Sequence, residues 1–388
     1  MKIKFVVDID SKQRTGLFNA VVQRVSYFGP EVDVFNLSYF DSALIRAFKR
    51  LTGKKPIEKK EEFIISGVKY KPVHLKVGLF NYAKRLFGVL NHFIFLRDLK
   101  ILMPLMGDEK CVVYSHWGIT AGILGYMFST ATSSKCIITL HGSDIHSFPV
   151  DDYYLRRLLV NALEGAECNV FVSDGLLRQA RDIGYRGDNC RVIYNGVDSA
   201  KFSLSNVLKE QLKKENHFLI PTENKIVGFV GNLYPVKGAD IFADIAVKLY
   251  TEGAGFHFLV VGDGGLRAYM ERVMPATCVT FLGCVAPENI PLLMNRIDVL
   301  VIPSRKEGLG LVALEGLAAG ASVVASNVGG LPEVVEDTFL VDLETNFVDT
   351  FAQKIYEALS GINHQAFDSK FSIEEVKKQE LGLLQSIL

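Results

Sequence analysis

Two glutamates eight positions apart, Glu307 and Glu315, lie in the stretch SRKEGLGLVALEGLAAG, and Gly308 and Gly310 follow the first of them closely. The preceding VLVIPS (Val299 to Ser304) is apolar and short enough for a buried strand, and LVALEGLAA (Leu311 to Ala319) has the composition of a helix. A strand that enters a helix through a glycine bend leaves backbone N–H groups unpaired at the helix tip, where negative oxygens bind without any side chain. The bend is a seat for phosphate.

Other candidates fall at the ends of further β-rich runs. GNLYPVKG, Gly231 to Gly238, places Lys237 just before a glycine and a helical run, where a lysine can neutralise a diphosphate or stand solvated on a turn. HGSD, His141 to Asp144, ends the run CIITL; its histidine can bond a sugar or phosphate oxygen, assist proton transfer, or be satisfied by backbone. Thr15 and Gly16 open a helix after the first β-rich run, and their backbone can also approach phosphate. VGDGGLR, Val261 to Arg267, lacks the G-x-G-x-x-G spacing and reads as a tight strand-to-helix turn. Asp8 and Asp10 have a D-x-D spacing without an acidic cluster beside them in sequence, a poor metal signal. Neither G-x-x-x-x-G-K-[ST] nor G-x-S-x-G occurs, which argues against a P-loop ATPase and the commonest hydrolase elbow.

The elements that position these residues recur along the chain. KIKFVVDI, VDVFNL, CVVYSH, CIITLHG, CNVFVS and CRVIYNG are followed, after an interruption, by KIVGFVG, FHFLVVGDG, CVTFLGCV, VLVIPS and SVVASNVGG. Most are apolar throughout, as parallel strands covered on both faces are. With helical runs between them they predict a doubly wound α/β architecture, in which ligands bind beyond the carboxyl ends of the strands. At 388 residues the chain is too long for one ordinary core. The polar stretch Ser199 to Asn224 breaks the rhythm, so the expected domains are 1–200 and 225–370, joined by a linker at 201–224 and facing each other across a cleft. SIEEVKKQELGLLQSIL reads as a terminal amphipathic helix, 371–388, crossing back onto the first domain.

The chain carries 43 basic and 43 acidic residues, and zero net charge argues against nucleic acid as a partner. The charge is uneven: from Arg46 to Lys100 there are fourteen Lys or Arg against four Asp or Glu. RAFKRLTGKKPIEKK (Arg46 to Lys60) and YAKRLFGVLNHFIFLRDLKILM (Tyr82 to Met103) mix basic and apolar residues. The first reads equally as an anionic-membrane contact or a solvated loop; the second reads best as a crossover helix on the sheet. Six cysteines form no C-x-x-C pair, which fits free thiols in a reducing compartment better than zinc. The first apolar run is too short for a signal peptide and is broken by acids, and no stretch has the ~18 apolar residues of a membrane span. The expected location is cytoplasmic, with peripheral contact at the inner face of the plasma membrane.

In combination the motifs resemble the GT-B glycosyltransferases of family 4, and HGSDI resembles the subgroup that builds bacterial cell-surface polysaccharides. The resemblance is carried, in order, by TG at 15–16, HGSD at 141–144, YNGVD at 194–198, GNLYPVKG at 231–238, VGDG at 261–264 and E-x7-E from Glu307 to Glu315. It implies a retaining hexosyltransferase that takes a UDP- or GDP-sugar as donor and needs no metal or other cofactor, with a glycan or lipid-linked glycan as acceptor. Glu307, Lys237 and His141 are then the expected catalytic residues. Donor contacts are expected from Gly16, Asn232, Val285, Arg305, Gly308, Leu309, Gly310 and Glu315, the last bonding ribose hydroxyls. Thr15, Asp144 and Asn195 are expected near the acceptor or the sugar. Asn232 stands where an arginine is usual and can donate a hydrogen bond but no charge; Arg267 and Arg305 are candidates to supply it. A GT-B epimerase or hydrolase, and a nucleotide- or glycan-binding scaffold without turnover, are the alternatives.

Overall fold

A computed structural model describes residues 2–12, 15–78, 81, 90–215, 218, 220–221, 223–360 and 365–388. The chain divides into two compact units, Met1–Tyr194 with Lys377–Leu388, and Asn195–Val376. The division falls at Tyr194 instead of near Ser199. The stretch expected to be a linker holds two helices, Ser199–Phe202 and Asn206–Glu215, and the first packs on the helix Leu311–Ala319. Lys209 Nζ reaches Ala319 O at 3.0 Å, placing a cation on that helix's C-terminal carbonyls.

The first unit is built on strands β1 (Lys2–Val7), β2 (Asp33–Asp41), β3 (Phe63–Ile65), β4 (Val68–Val77), β5 (Cys111–His116), β6 (Lys135–Leu140), β7 (Cys168–Phe171) and β8 (Cys190–Val192). Their order is β3-β4-β2-β1-β5-β6-β7-β8, and every pairing is parallel except β3 with β4. β5 is buried at all six positions, its polar Ser115 and His116 included. The order reverses between β2-β1 and β1-β5, which marks a topological switch point at the carboxyl ends of β1 and β5. The β3–β4 hairpin falls between the two basic runs and is not among the strands the sequence suggests. Ser66 and Gly67, both at positive φ, make the two-residue turn that matches strand twist.

The second unit contains β9 (Ile226–Val230), β10 (His257–Val261), β11 (Val279–Gly283), β12 (Val299–Ile302), β13 (Ser322–Ser326) and β14 (Leu340–Val341), ordered β11-β10-β9-β12-β13-β14 and parallel throughout. Its switch point lies between β9 and β12. The loops that leave those two strands carry Lys237 and Glu307.

The terminal helix is present as Ile373–Ile387, and from Lys377 onward it belongs to the first unit. Glu380 is fully buried there, paired with Arg24 and accepting from the Tyr114 hydroxyl. Lys135 Nζ donates to Ile387 O. Of the run expected to form a crossover helix, Tyr82–Val89 lies outside the described residues; the described helix is Leu90–Met106. Among the described residues no helix is long and apolar enough to cross a membrane.

Candidate active site

In the second unit, the loops that leave β9, β12 and β13 are fastened together at glycines. Gly238 has φ of +71°, and a Cβ there would collide with the carbonyl oxygen of Pro303; Gly329, at φ +57°, would collide with that of Glu307. Both positions therefore combine a left-handed backbone with a backbone neighbour that only glycine admits. Arg305 N donates to Val236 O at 2.9 Å, which ties the β9 and β12 loops together directly. The sequence puts Lys237 and Glu307 70 positions apart, and these contacts bring Lys237 Nζ to 2.7 Å from Glu307 Oε2. Ser304 Oγ donates to the same oxygen at 3.3 Å.

Glu307 is followed by Gly308, Leu309 and Gly310, all buried. Gly310, at φ +93°, precedes the helix Leu311–Ala319 and supplies no side-chain cap. Among the described residues, no protein acceptor meets the N–H groups of Leu309, Gly310, Leu311 or Val312, whereas Ala313 N donates to Gly310 O at 2.9 Å. Four successive unpaired amides at a helix tip beside a lysine form an anion seat. Glu315, one turn further along, is half-buried and makes no hydrogen bond or ion pair with the described residues. Burial raises its carboxyl from 4.5 to about 7, and Lys201 opposes the rise.

Neither candidate for the missing cation is turned to this seat. Arg305 forms a two-pronged pair with Asp240, at 2.8 and 2.7 Å, and Arg267 pairs with Glu271 at 2.8 Å while lying over Phe281. Asn232 is exposed. The VGDGG run is the tight turn its spacing suggests: Leu233 N donates to Asp263 O at 3.0 Å and Leu266 N to Leu233 O at 2.9 Å. Beside it the register of β10 and β11 shifts between Val260 and Val261, leaving Leu282 of β11 unpaired, and Val285 stands half-buried in the loop that follows.

In the first unit the carboxyl ends of β1, β5 and β6 gather a second set. His141 Nε2 lies 3.3 Å from His116 Nδ1. Burial first, and Arg24 after it, hold the His141 imidazole well below the usual range; His116 is lowered by burial, then by His141 and Arg24. Both rings are thus neutral at pH 7, and one donates to the other. The outer nitrogens, His116 Nε2 and His141 Nδ1, are buried and find no partner among the described residues. One of them carries a hydrogen and the other a lone pair, so the pair offers a ligand one donor and one acceptor.

Asp144 has a different task from the sugar contact expected of it. It is fully buried, and its carboxylate accepts from Gly118 N (2.8 Å), Gly142 N (2.8 Å) and His141 N (3.1 and 3.2 Å). It holds the His141 loop and has no surface left for a sugar. Asn195 is likewise buried, at 5% exposure. Thr15 is the cap of the helix Gly16–Ser26, its Oγ1 accepting from Phe18 N at 3.3 Å, and both Thr15 and Gly16 are exposed. Asp8 is held by Lys60 at 2.8 Å and by Thr120 at 2.9 Å, and Asp10 accepts from Lys12 N at 2.9 Å. Lys60 thus anchors the end of the basic run to the sheet.

His116 and Trp117 were not singled out in the sequence. Trp117 is a bulky residue at φ +79°, and a π-helix, Gly118–Gly122, follows it at once. Both are uncommon and concentrate where function requires them. The available signal was SHWG, a histidine and an aromatic followed by glycine at a strand's end.

Comparison with known proteins bears on the family and the fold. Residues 224–361 match the family "Glycosyl transferases group 1" and residues 79–201 match "Glycosyltransferase Family 4". An uncharacterised 41.2 kDa protein from the cps region of Klebsiella pneumoniae is 31% identical over 67% of this chain and 72% of its own length. A putative teichuronic acid biosynthesis glycosyltransferase of Bacillus subtilis is 23% identical over 94% of this chain and 90% of its own. For three further curated relatives the match spans only 38% to 58% of their length. Among solved structures, Anabaena HepE in complex with UDP and glucose covers both chains fully, with a TM-score of 0.71 at 21% identity, which shows a shared fold. The chain belongs to the family 4 glycosyltransferases of the GT-B fold, enzymes that transfer a sugar from a nucleotide-sugar donor.

Proposed function

We propose that the chain is a retaining hexosyltransferase that moves a sugar from a UDP- or GDP-sugar to a glycan or lipid-linked glycan of the cell surface, without a metal or other cofactor. The observation that carries this reading is the anion seat of the second unit: four unpaired amides from Leu309 to Val312 next to the Lys237–Glu307 pair. The donor's diphosphate lies on the amides, and Lys237 exchanges Glu307 for phosphate oxygen. Glu307 is then released to the sugar. The bond from the anomeric carbon to the diphosphate oxygen breaks, the acceptor hydroxyl oxygen bonds to that carbon from the same face, and the hydroxyl proton passes to the departing phosphate oxygen. Positioned amides and a lysine stabilise the charge that develops on this leaving group.

Three further observations support the finer points. Asp8 of the D-x-D pair is already neutralised by Lys60 at 2.8 Å, which argues against a metal at that pair. HepE was solved with UDP and glucose, which favours a uridine donor. The teichuronic acid relative favours a surface polysaccharide as product, made at the inner face of the plasma membrane. Contact with anionic membrane through Arg46–Lys60 belongs to the same reading.

The test is a screen of UDP- and GDP-sugars by thermal shift, followed by anomer-resolved product analysis. A ligand that binds only the folded state raises the melting point by mass action. Stabilisation by one nucleotide sugar, with product of retained configuration, is expected. Product of inverted configuration, or no stabilisation by any nucleotide sugar, overturns the proposal. Asn232 favours a second reading, a scaffold that binds nucleotide without turnover; affinity for UDP or GDP with no transfer to any acceptor selects it.

Glu315 adds a pH signature. Its carboxyl is raised in the free protein to about 7, so the burial cost grows as pH rises from the ordinary glutamate range to about 7 and is constant above. A ribose that hydrogen-bonds to the carboxylate favours the charged form. Binding of a UDP-sugar, whose diphosphate has no proton to lose in this range, should therefore release protons at pH 6 to 7, and affinity should climb across that interval and level off above it. Titration calorimetry in two buffers of different ionisation enthalpy measures the release. In Glu315→Gln the pH dependence should vanish.

A further inference from the structure

The helix Ala43–Leu51, ALIRAFKRL, directly follows β2. Ser42 caps it, its hydroxyl accepting from Ile45 N, so it has its own start signal. Yet Ile45 is its one buried residue, and Leu44, Phe48 and Leu51 are 62%, 62% and 87% exposed. These three recur at i, i+4 and i+7 and share one face. Scattered exposed apolar residues are ordinary, but a stripe of three large ones on a nine-residue helix is not.

The charge around the stripe is one-sided. From Ala43 to Lys60 there are seven Lys or Arg and a single acid, Glu58. Two of the cations are anchors, Lys49 on Asp41 at 2.8 Å and Lys60 on Asp8 at 2.8 Å. They fasten the two ends of the segment to the sheet. Arg46, Arg50, Lys54 and Lys55 are exposed and form no ion pair with the described residues.

We propose that this segment is an interfacial anchor for an anionic bilayer. The helix lies in the membrane plane, Leu44, Phe48 and Leu51 enter the acyl boundary, and Arg46, Arg50, Lys54 and Lys55 meet headgroup phosphates. Charge decides the occupant. A second copy seated on the same face would bring two strongly positive segments together, which opposes self-association, whereas an anionic surface complements the cations while accepting the apolar stripe. The proposal deepens the reading of a lipid-linked acceptor and rests on it, but the binding it asserts requires no turnover.

The test is co-sedimentation of the full chain with vesicles of phosphatidylcholine alone and of phosphatidylcholine mixed with phosphatidylglycerol, at low and high salt. Binding should need the anionic lipid and fall at high salt. Leu44→Ser/Phe48→Ser/Leu51→Ser should weaken it by more than roughly tenfold, and each of Arg46→Gln and Lys54→Gln by roughly fivefold. Circular dichroism checks that the variants fold. Equal binding to neutral and anionic vesicles, undiminished binding by the triple variant, or a dimer that the triple variant dissolves would overturn the anchor. Donor consumption measured on the same protein in solution separates the two ideas: vesicle binding without any sugar transfer keeps the anchor and removes the proposed activity.

Discussion

Glu307→Ala and Lys237→Ala should each lower kcat/KM for sugar transfer by about 10²–10³-fold, the usual cost of removing one positioned electrostatic partner from a reacting centre. The fold should survive. The pair is only partly buried, so its loss removes at most about 1 kcal/mol, or a few degrees of melting temperature for a unit of this size. The two variants should differ in binding. Lys237 is the charge that meets the diphosphate, and losing one charge-assisted bond of about 1.5–3 kcal/mol weakens UDP affinity more than tenfold. Glu307 holds that lysine at 2.7 Å in the free chain. Removing the glutamate frees the lysine, so Glu307→Ala should bind UDP as well as the parent or better while failing in transfer. Calorimetry with UDP and a transfer assay separate these effects. Parent-like transfer rates in both variants would refute the assignment.

What made this centre legible was local. E-x7-E, the glycine bend and the strand before it lie within seventeen residues, and glycines at left-handed turns announce strand-to-helix bends wherever they occur. Doubly wound architecture was legible for a similar reason, since strands covered on both faces appear as unbroken apolar runs. Contacts between distant loops were hidden. Arg305 looked free to serve a phosphate because its partner, Asp240, is 65 positions away. His116 and His141 meet because β5 and β6 pair in parallel with His116 opposite Thr139, a register that no local pattern reveals. Asp144 looked like a ligand because its acceptor role is to amides brought in from Gly118, Gly142 and His141. The β3–β4 hairpin had a visible signal, Ser66-Gly67 between β-rich runs, masked by the surrounding lysines.

The largest expected effect on stability lies far from the Lys237–Glu307 pair, at Glu380. Arg24 and Glu380 are both buried, and Arg24 Nη2 also donates to Ile193 O at 2.6 Å and Tyr194 O at 2.8 Å. In Glu380→Ala those carbonyls remain, but the guanidinium loses its counter-charge and the Tyr114 hydroxyl loses its acceptor. Breaking one side of a buried ion pair costs about 3–5 kcal/mol, and the melting temperature of the first unit should fall by roughly 10 °C. Arg24→Met/Glu380→Leu should recover at least half of that loss, because an apolar pair leaves no uncompensated charge. The helix that carries Glu380 starts in the second unit, where Val197 and Ser372 form a bridge and a Cβ at Gly196 would press on Ile373. Its early turn should therefore stay protected while the turns from Lys377 onward become open to protease, and UDP affinity, whose proposed amide seat lies in the second unit, should not change. Calorimetric unfolding, limited proteolysis and UDP titration read these three outcomes separately. A melting temperature within one degree of the parent would mean that Arg24 finds water or another partner when Glu380 is gone, and that the terminal helix is held by apolar contacts such as Leu384 and Ile387 alone.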